Sequence, residues 1–231
     1  MTDRREFLKS VAASWLASAP SLEEVPNLTP PTKGKIPVAF LVSENANVID
    51  TAGPWEVFQD VHVPNRGASH DETMPFQLFT VADGASAVRM TGGLRVTPDY
   101  TLETAPPPRV IVVPAMRGTP QTHDWLRRAS ASADITMSVC TGAFQLARAG
   151  LLDGLEATTH HDFWDDLASE FPKVRVKRGL RFVEGGPKIA TAGGLTSGID
   201  MALRVVERYF GRSVAETTAR YLEHDSKAWQ V

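Results

Sequence analysis

Four short apolar runs punctuate the chain, at residues 38–42, 76–81, 110–113 and 135–139. They are continuous rather than alternating, the pattern of strands buried on both faces. Helix-like stretches lie between most of them. Residues 54–61 open with a proline suited to a first helical turn, residues 122–132 are amphipathic, and residues 142–149 run into Gly150, a good helix stop. Alternating strand and helix predicts an α/β fold with a mainly parallel sheet, helices on both faces and right-handed crossovers. Residues 88–102, with Gly92-Gly93 inside, and residues 174–190, with Gly185-Gly186 inside, read instead as antiparallel excursions turning at the glycine pairs. Helices at 197–210 and 213–223 close the chain, the first with Ile199, Leu203, Val206 and Phe210 on one core-facing stripe.

The N-terminus departs from this alternation. Arg4-Arg5-Glu6-Phe7-Leu8-Lys9 follows the twin-arginine export pattern, residues 10–16 are mildly apolar, and Ala17-Ser18-Ala19 supplies a small-x-small cleavage pattern. Asp3 stands where Ser or Thr is commoner. The competing reading is an amphipathic helix with a chance arginine pair. The apolar run is far shorter than the roughly 20 residues of a spanning helix. Residues 20–35 are rich in proline and read as a linker, which leaves residues 36–231 as one folded domain. The leader implies the twin-arginine translocase as an export partner and a periplasmic or secreted protein; without a working leader it would stay cytoplasmic. Removing residues 1–19 moves the net charge from −3 to −4. A weakly acidic chain gives no reason to expect nucleic acid or membrane as a partner.

Cys140 is the one cysteine of 231 residues, so no internal disulfide can form. It sits where the run 135–139 meets a helix opening with Thr141-Gly142, and such a junction aims helix N–H groups and the dipole at the side chain. That setting predicts a thiol pKa below the free value of about 8.5. The plain alternative is that Cys140 is a small buried hydrophobe. Asp50, in the segment Asp50-Thr51-Ala52-Gly53-Pro54 after the first strand, falls on the same sheet edge if both strands are parallel. It could exchange a proton with a substrate or merely cap the helix, and spacing alone does not choose. There is no Cys/His metal spacing, no glycine-rich phosphate loop and no internal repeat. No metal or organic cofactor is expected.

Four ordered motifs then carry a resemblance: Asp50…Gly53-Pro54 with Glu56-Val57-Phe58; Ser138-Val139-Cys140-Thr141-Gly142; Ala149-Gly150-Leu151-Leu152-Asp153-Gly154 followed by Ala157-Thr158-Thr159-His160; and Thr191 through Asp200. Together they resemble the PfpI/ThiJ superfamily, class I glutamine amidotransferase-like, in its branch of isocyanide hydratases and ligand-binding domains of AraC-type regulators. The resemblance spans roughly residues 36–223. It implies a flavodoxin-like three-layer α/β/α sandwich and a homodimer. It makes Cys140 the nucleophile, Asp50 the acid/base, and Thr141 a hydrogen-bond donor to substrate whose N–H helps form an oxyanion site. Gly53, Ala115, Met116, Gly194, Leu195 and Thr196 become substrate-binding positions. His160 and His161 stand as alternative bases, although the matching family histidine is more often structural. The sequence Pro114-Ala115-Met116-Arg117-Gly118 departs from the family's Pro-Gly-Gly, so Met116 would narrow the pocket and Arg117 would add charge.

The implied activity is a cofactor-free, cysteine-dependent hydration or hydrolysis of a small electrophilic molecule, an isocyanide becoming an N-substituted formamide. Amidase or glyoxalase/deglycase-like chemistry would use the same residues. From a different class, a periplasmic ligand-binding or thiol redox-sensing module remains open.

Overall fold

The apolar runs become the middle of one seven-stranded sheet. In the computed structural model, which describes residues 25–230, the elements are β1 (Ile36–Leu41), α1 (Val48–Gln59), the single turn α2 (His70–Thr73) and β2 (Phe76–Ala82). Three two-residue strands follow, β3 (Val88–Arg89), β4 (Arg95–Val96) and β5 (Tyr100–Thr101), then β6 (Val110–Val113), α3 (Pro120–Ser132), β7 (Ile135–Ser138) and α4 (Gly142–Arg148). The remainder is β8 (Glu156–Ala157), α5 (Trp164–Glu170), β9 (Arg175–Val176), β10 (Phe182–Glu184), β11 (Ile189–Ala192), α6 (Ser197–Phe210) and α7 (Arg212–Tyr221). The expected export leader, residues 1–19, lies outside the described residues.

Strand order is β10-β11-β7-β6-β1-β2-β5, and every neighbouring pair is parallel except β10 with β11. The mainly parallel α/β sandwich is therefore as expected. Both glycine pairs turn antiparallel hairpins, Gly92-Gly93 between β3 and β4, and Gly185-Gly186 between β10 and β11. Two details differ from the sequence reading. Tyr100–Thr101 pairs parallel with β2 as an edge strand, and β9 pairs parallel with β8, so neither excursion is antiparallel throughout. Their partners lie 19 residues or more away in sequence, and two residues are too few to show a period.

One apolar layer joins Phe40, Val112, Met137 and Val139 of the sheet to Val57 and Phe58 of α1 and to Met201, Leu203, Val205 and Val206 of α6. The other joins Leu41, Ile111 and Val113 to Trp125 and Leu126 of α3 and to Ala143 and Leu146 of α4. Each buried Val, Leu, Ile, Phe or Met among them contributes about 1.5–3 kcal/mol. Residues 25–35 contain no helix or strand, yet they are tied to the body. Arg208 donates to the Pro26 carbonyl from Nε (3.2 Å) and Nη2 (3.1 Å), and Leu28 N–H donates to the Arg208 carbonyl (2.8 Å).

After β1 the chain moves to β2 on one side, and β6, its other neighbour, starts the series toward β7 and β11. The carboxyl ends of β1 and β6 thus flank a topological switch point, where open α/β sheets form crevices. Asp50 and Ala115 meet there, with Cys140 at the end of the neighbouring strand β7.

Candidate active site

α1 starts at Val48, six residues ahead of its expected start, and its N-cap is Asn47, whose side chain accepts the Ile49 N–H at 3.2 Å. Asp50 is therefore not the cap. Pro54 lies inside the helix, where it withholds the N–H that would bond the Asp50 carbonyl. The Asp50 side chain is fully buried. Its Oδ2 accepts the Ala115 N–H at 3.0 Å from the loop after β6, while Oδ1 has no hydrogen-bond partner among the described residues. Burial pushes its pKa to about 6, against a smaller opposing pull from Ala115 N–H. A buried, half-satisfied carboxylate is an expensive group to keep for structure alone.

Cys140 occupies the left-handed region at φ 57°, a conformation that costs a non-glycine residue about 1–3 kcal/mol. Two bonds hold it there: its N–H donates to the Gly193 carbonyl (2.7 Å) and its carbonyl accepts from Thr159 Oγ1 (2.9 Å). Immediately after it, Gly142 lets α4 press against the end of β6. A Cβ at Gly142 would collide with the Val113 carbonyl oxygen. The result is a sharp strand-to-helix elbow with Cys140 only 7% exposed.

The expected low thiol pKa is not what this environment produces. Burial first, and the charge of Asp50 second, push the Cys140 thiol up to about 11. The N–H groups of Thr141 and Leu195 and the Thr141 hydroxyl donate to the sulfur and oppose that rise, but they do not outweigh it. At neutral pH the resting pair is a thiol beside a carboxyl close to its own titration point. Asp50 is ionised enough to accept a proton, but taking it from the resting thiol is uphill, so the transfer has to accompany bond formation by the sulfur.

Thr141 thus points its donors at the sulfur. Ala115 spends its N–H on Asp50, which removes that group from any oxyanion site. Leu195, also left-handed at φ 52°, supplies an N–H to the sulfur. Gly194 lies against the His160 ring, where a Cβ would collide with it, and the Thr196 hydroxyl accepts from both terminal nitrogens of Arg181 (3.3 and 3.2 Å). Gly53 sits in the α1–α6 contact beside Ile199, away from the two depressions described below. Met116 borders a groove of about 470 Å3 with Thr141, Phe144 and Arg148, whereas Arg117 is exposed and lines neither depression.

His160 Nδ1 accepts the Asp162 N–H (3.3 Å) and its ring stacks on His161 at 4.3 Å. Neither imidazole bonds the thiol among the described residues. His160, His161 and Asp162 place ligand atoms within 4.8 Å of one another. An imidazole binds a metal in its ring plane at about 2.0–2.1 Å, and two stacked rings do not aim their lone pairs at one ion. This trio is poorly built as a chelate.

Sequence reasoning missed three positioning groups. Gln145, nearly buried, donates to the Met116 carbonyl (2.9 Å) and pairs with His123 Nε2 (2.9 Å), clamping the loop that carries Ala115. Thr159 holds the elbow carbonyl. Arg181 is locked by the fully buried Asp200, with Nε donating to Oδ2 at 2.7 Å. Thr159 stood inside a quoted motif; the other two carried no local signal.

A strained cysteine elbow at a switch point, with a buried acid facing it across the crevice, is the arrangement the sequence motifs implied, and the DJ-1/PfpI family profile matches residues 37–208. The chain belongs to the DJ-1/PfpI family. The isonitrile hydratase of Pseudomonas putida is 32% identical over 193 residues, covering 81% of this chain and 78% of that protein. The HTH-type transcriptional regulator GbdR of Pseudomonas aeruginosa is 26% identical over 195 residues, covering 82% of this chain. This chain spans about half (51%) of that regulator's length. Among solved structures, a ThiJ/PfpI family protein from Pseudomonas syringae superposes with a TM-score of 0.71 at 26% identity, covering 92% of this chain and 84% of that one. These relatives include both an enzyme and a regulator, so likeness alone does not assign turnover.

Proposed function

We propose that this protein is a cysteine-dependent hydratase of a small electrophile, with isocyanides as the substrate class. The observation that carries the reading is the Cys140–Asp50 pair: a thiol held neutral on a strained elbow, beside a buried carboxyl whose Oδ1 has no hydrogen-bond partner among the described residues. The likeness to isonitrile hydratase supports the choice of substrate class.

The cysteine sulfur attacks the terminal carbon of R–N≡C while the thiol proton passes to Asp50 and on to that carbon, giving the thioimidate R–N=CH–S–Cys140. Asp50 then takes a proton from water as its oxygen adds to the same carbon, and the nitrogen receives that proton. The tetrahedral R–NH–CH(OH)–S–Cys140 collapses: the C–S bond breaks, the hydroxyl proton returns to sulfur through Asp50, and R–NH–CHO leaves. The net change is addition of one water. Proton transfer accompanies attack, so no resident thiolate is needed. Thr141 and Leu195 N–H groups hold the sulfur and take up charge as it departs.

The regulator relatives favour a second reading, a ligand-binding domain without turnover. Incubating the protein with a simple alkyl isocyanide and following formamide by NMR separates the two, with Cys140→Ala as blank. Many turnovers per protein molecule support the hydratase. Saturable binding with no formamide returns the domain to the binding class.

A further inference from the structure

We propose that Arg181 determines specificity, binding a carboxylate on the substrate in the cavity beside the elbow; this rests on the hydratase reading. That cavity, about 370 Å3, is walled by Thr159, Gly193 and Leu195, the residues that bond Cys140. Its size suits a small ligand. Among the described residues the ionisable side chains lining it are His160, His161 and Arg181, with no Asp or Glu. The groove on the other side of the elbow differs, since Arg148 there is accompanied by Asp166 and Glu170.

Arg181 is built for a planar anion. Nε and Nη2 face Asp200, which is fully buried and is held from its other oxygen by His224 Nε2 at 3.0 Å. This fixes the plane of the guanidinium and leaves the Nη1 edge, which carries two of its five donors, with Thr196 Oγ1 at 3.3 Å as its partner. The side chain remains 39% exposed. A carboxylate meeting that edge would accept charge-assisted bonds from Nη1 while its other end reaches toward Leu195 and the sulfur. The buried anchor lowers the ordering cost of binding, because the arginine is already in place.

Full-length protein is assayed with isocyanoacetate and with its methyl ester, comparing wild type, Arg181→Gln and Arg181→Lys. Wild type should favour the acid. The ratio of kcat/KM, acid over ester, should fall by about 10- to 100-fold in Arg181→Gln, the scale of one charged hydrogen bond, and recover in part in Arg181→Lys, which keeps a cation for Asp200. Calorimetry of N-formylglycine with Cys140→Ala, alone and combined with Arg181→Gln, reads the anion site without turnover. Arginine-dependent binding without hydration of either isocyanide would end the hydratase reading and leave the anion site standing. An unchanged acid/ester ratio in Arg181→Gln, or N-formylglycine binding that ignores the substitution, would overturn the assignment and make Arg181 a prop for Asp200.

Discussion

Charge is buried in opposite ways at two ends of this sheet's helical layer, the ion cluster on α6 and the acid on α1. Where β10 meets α6, Arg208 and Glu184 are almost wholly enclosed, with side-chain exposures of 1% and 8%. Every direction is answered: Glu184 pairs with Arg208 (3.2 Å) and Arg204 (2.9 Å), Glu207 pairs with Arg204 and Arg212, and Arg208 also donates to the carbonyls of Pro26 and Pro187. At the switch point Asp50 is equally buried, yet among the described residues one oxygen has no hydrogen-bond partner, and the group it faces is a thiol that resists ionising. Complete pairing makes burial tolerable and yields scaffold. Incomplete pairing keeps a proton mobile, which is what chemistry requires.

Asp50→Asn should break the comparison most sharply. Turnover should fall by about 100- to 10,000-fold, the usual worth of a positioned acid/base. Stability should move the other way. A carboxyl raised from 3.8 to about 6 binds its proton more tightly folded than unfolded, so its contribution is fully present below pH 3.8 and is lost as pH rises through 6. At pH 7.5 the native state carries a buried charge that Asn removes, worth on the order of 1–3 kcal/mol. Urea unfolding at pH 7.5 and 4.5 checks this: the gain should shrink at the lower pH. A variant that loses activity and stability together at pH 7.5 would show that Asp50 is scaffold after all.

The ion cluster should respond conversely. Arg208→Met leaves Glu184 short of a partner and strands the Pro26 and Pro187 carbonyls, so urea unfolding should show a loss of about 3–5 kcal/mol, the range for breaking a buried pair. Activity per folded molecule and its pH profile should be retained. A shifted pH profile would mean that the two regions are coupled.

What was legible in the sequence follows the same division. The elbow could be read because the run 135–139 ends abruptly at a helical pattern, and α6 was read to its observed bounds because its apolar stripe is long and regular. The start of α1 was not, because Pro54 looked like a first-turn residue although Asn47 already offered a cap. The thiol pKa misled because the helix N–H groups are local and visible, whereas the enclosure of Cys140 and the approach of Asp50 are tertiary. Gln145 and Arg181 act through partners 19 to 29 residues away, and no spacing rule points there.

Alkylation of Cys140 tests that tertiary effect directly. With iodoacetamide the wild-type rate at pH 7.5 should be low and should climb past the free-thiol range of about 8.5, since burial and Asp50 raise the pKa to about 11. Asp50→Asn removes the second cause and leaves the first, so its curve should shift to lower pH without reaching the free value. A wild-type midpoint below 8 would mean that the helix N–H groups win.

The smallest effect belongs to the Thr141 hydroxyl, the weakest of the three donors to the sulfur. Thr141→Ala deletes that bond but keeps the backbone N–H and the elbow, whose geometry is fixed by Gly193, Thr159 and Gly142 rather than by this side chain. One neutral hydrogen bond is worth about 0.5–1.5 kcal/mol, so kcat should fall roughly 2- to 13-fold. The alkylation midpoint should rise, because the donor lost had favoured the ionised sulfur. Thr141→Ser restores a hydroxyl at the same place and should recover both readings, whereas Thr141→Val, which matches the shape without the donor, should behave like Ala. If Val and Ser were alike and both near wild type, the hydroxyl would have no part in holding the sulfur, and the backbone N–H groups of Thr141 and Leu195 would carry that task alone.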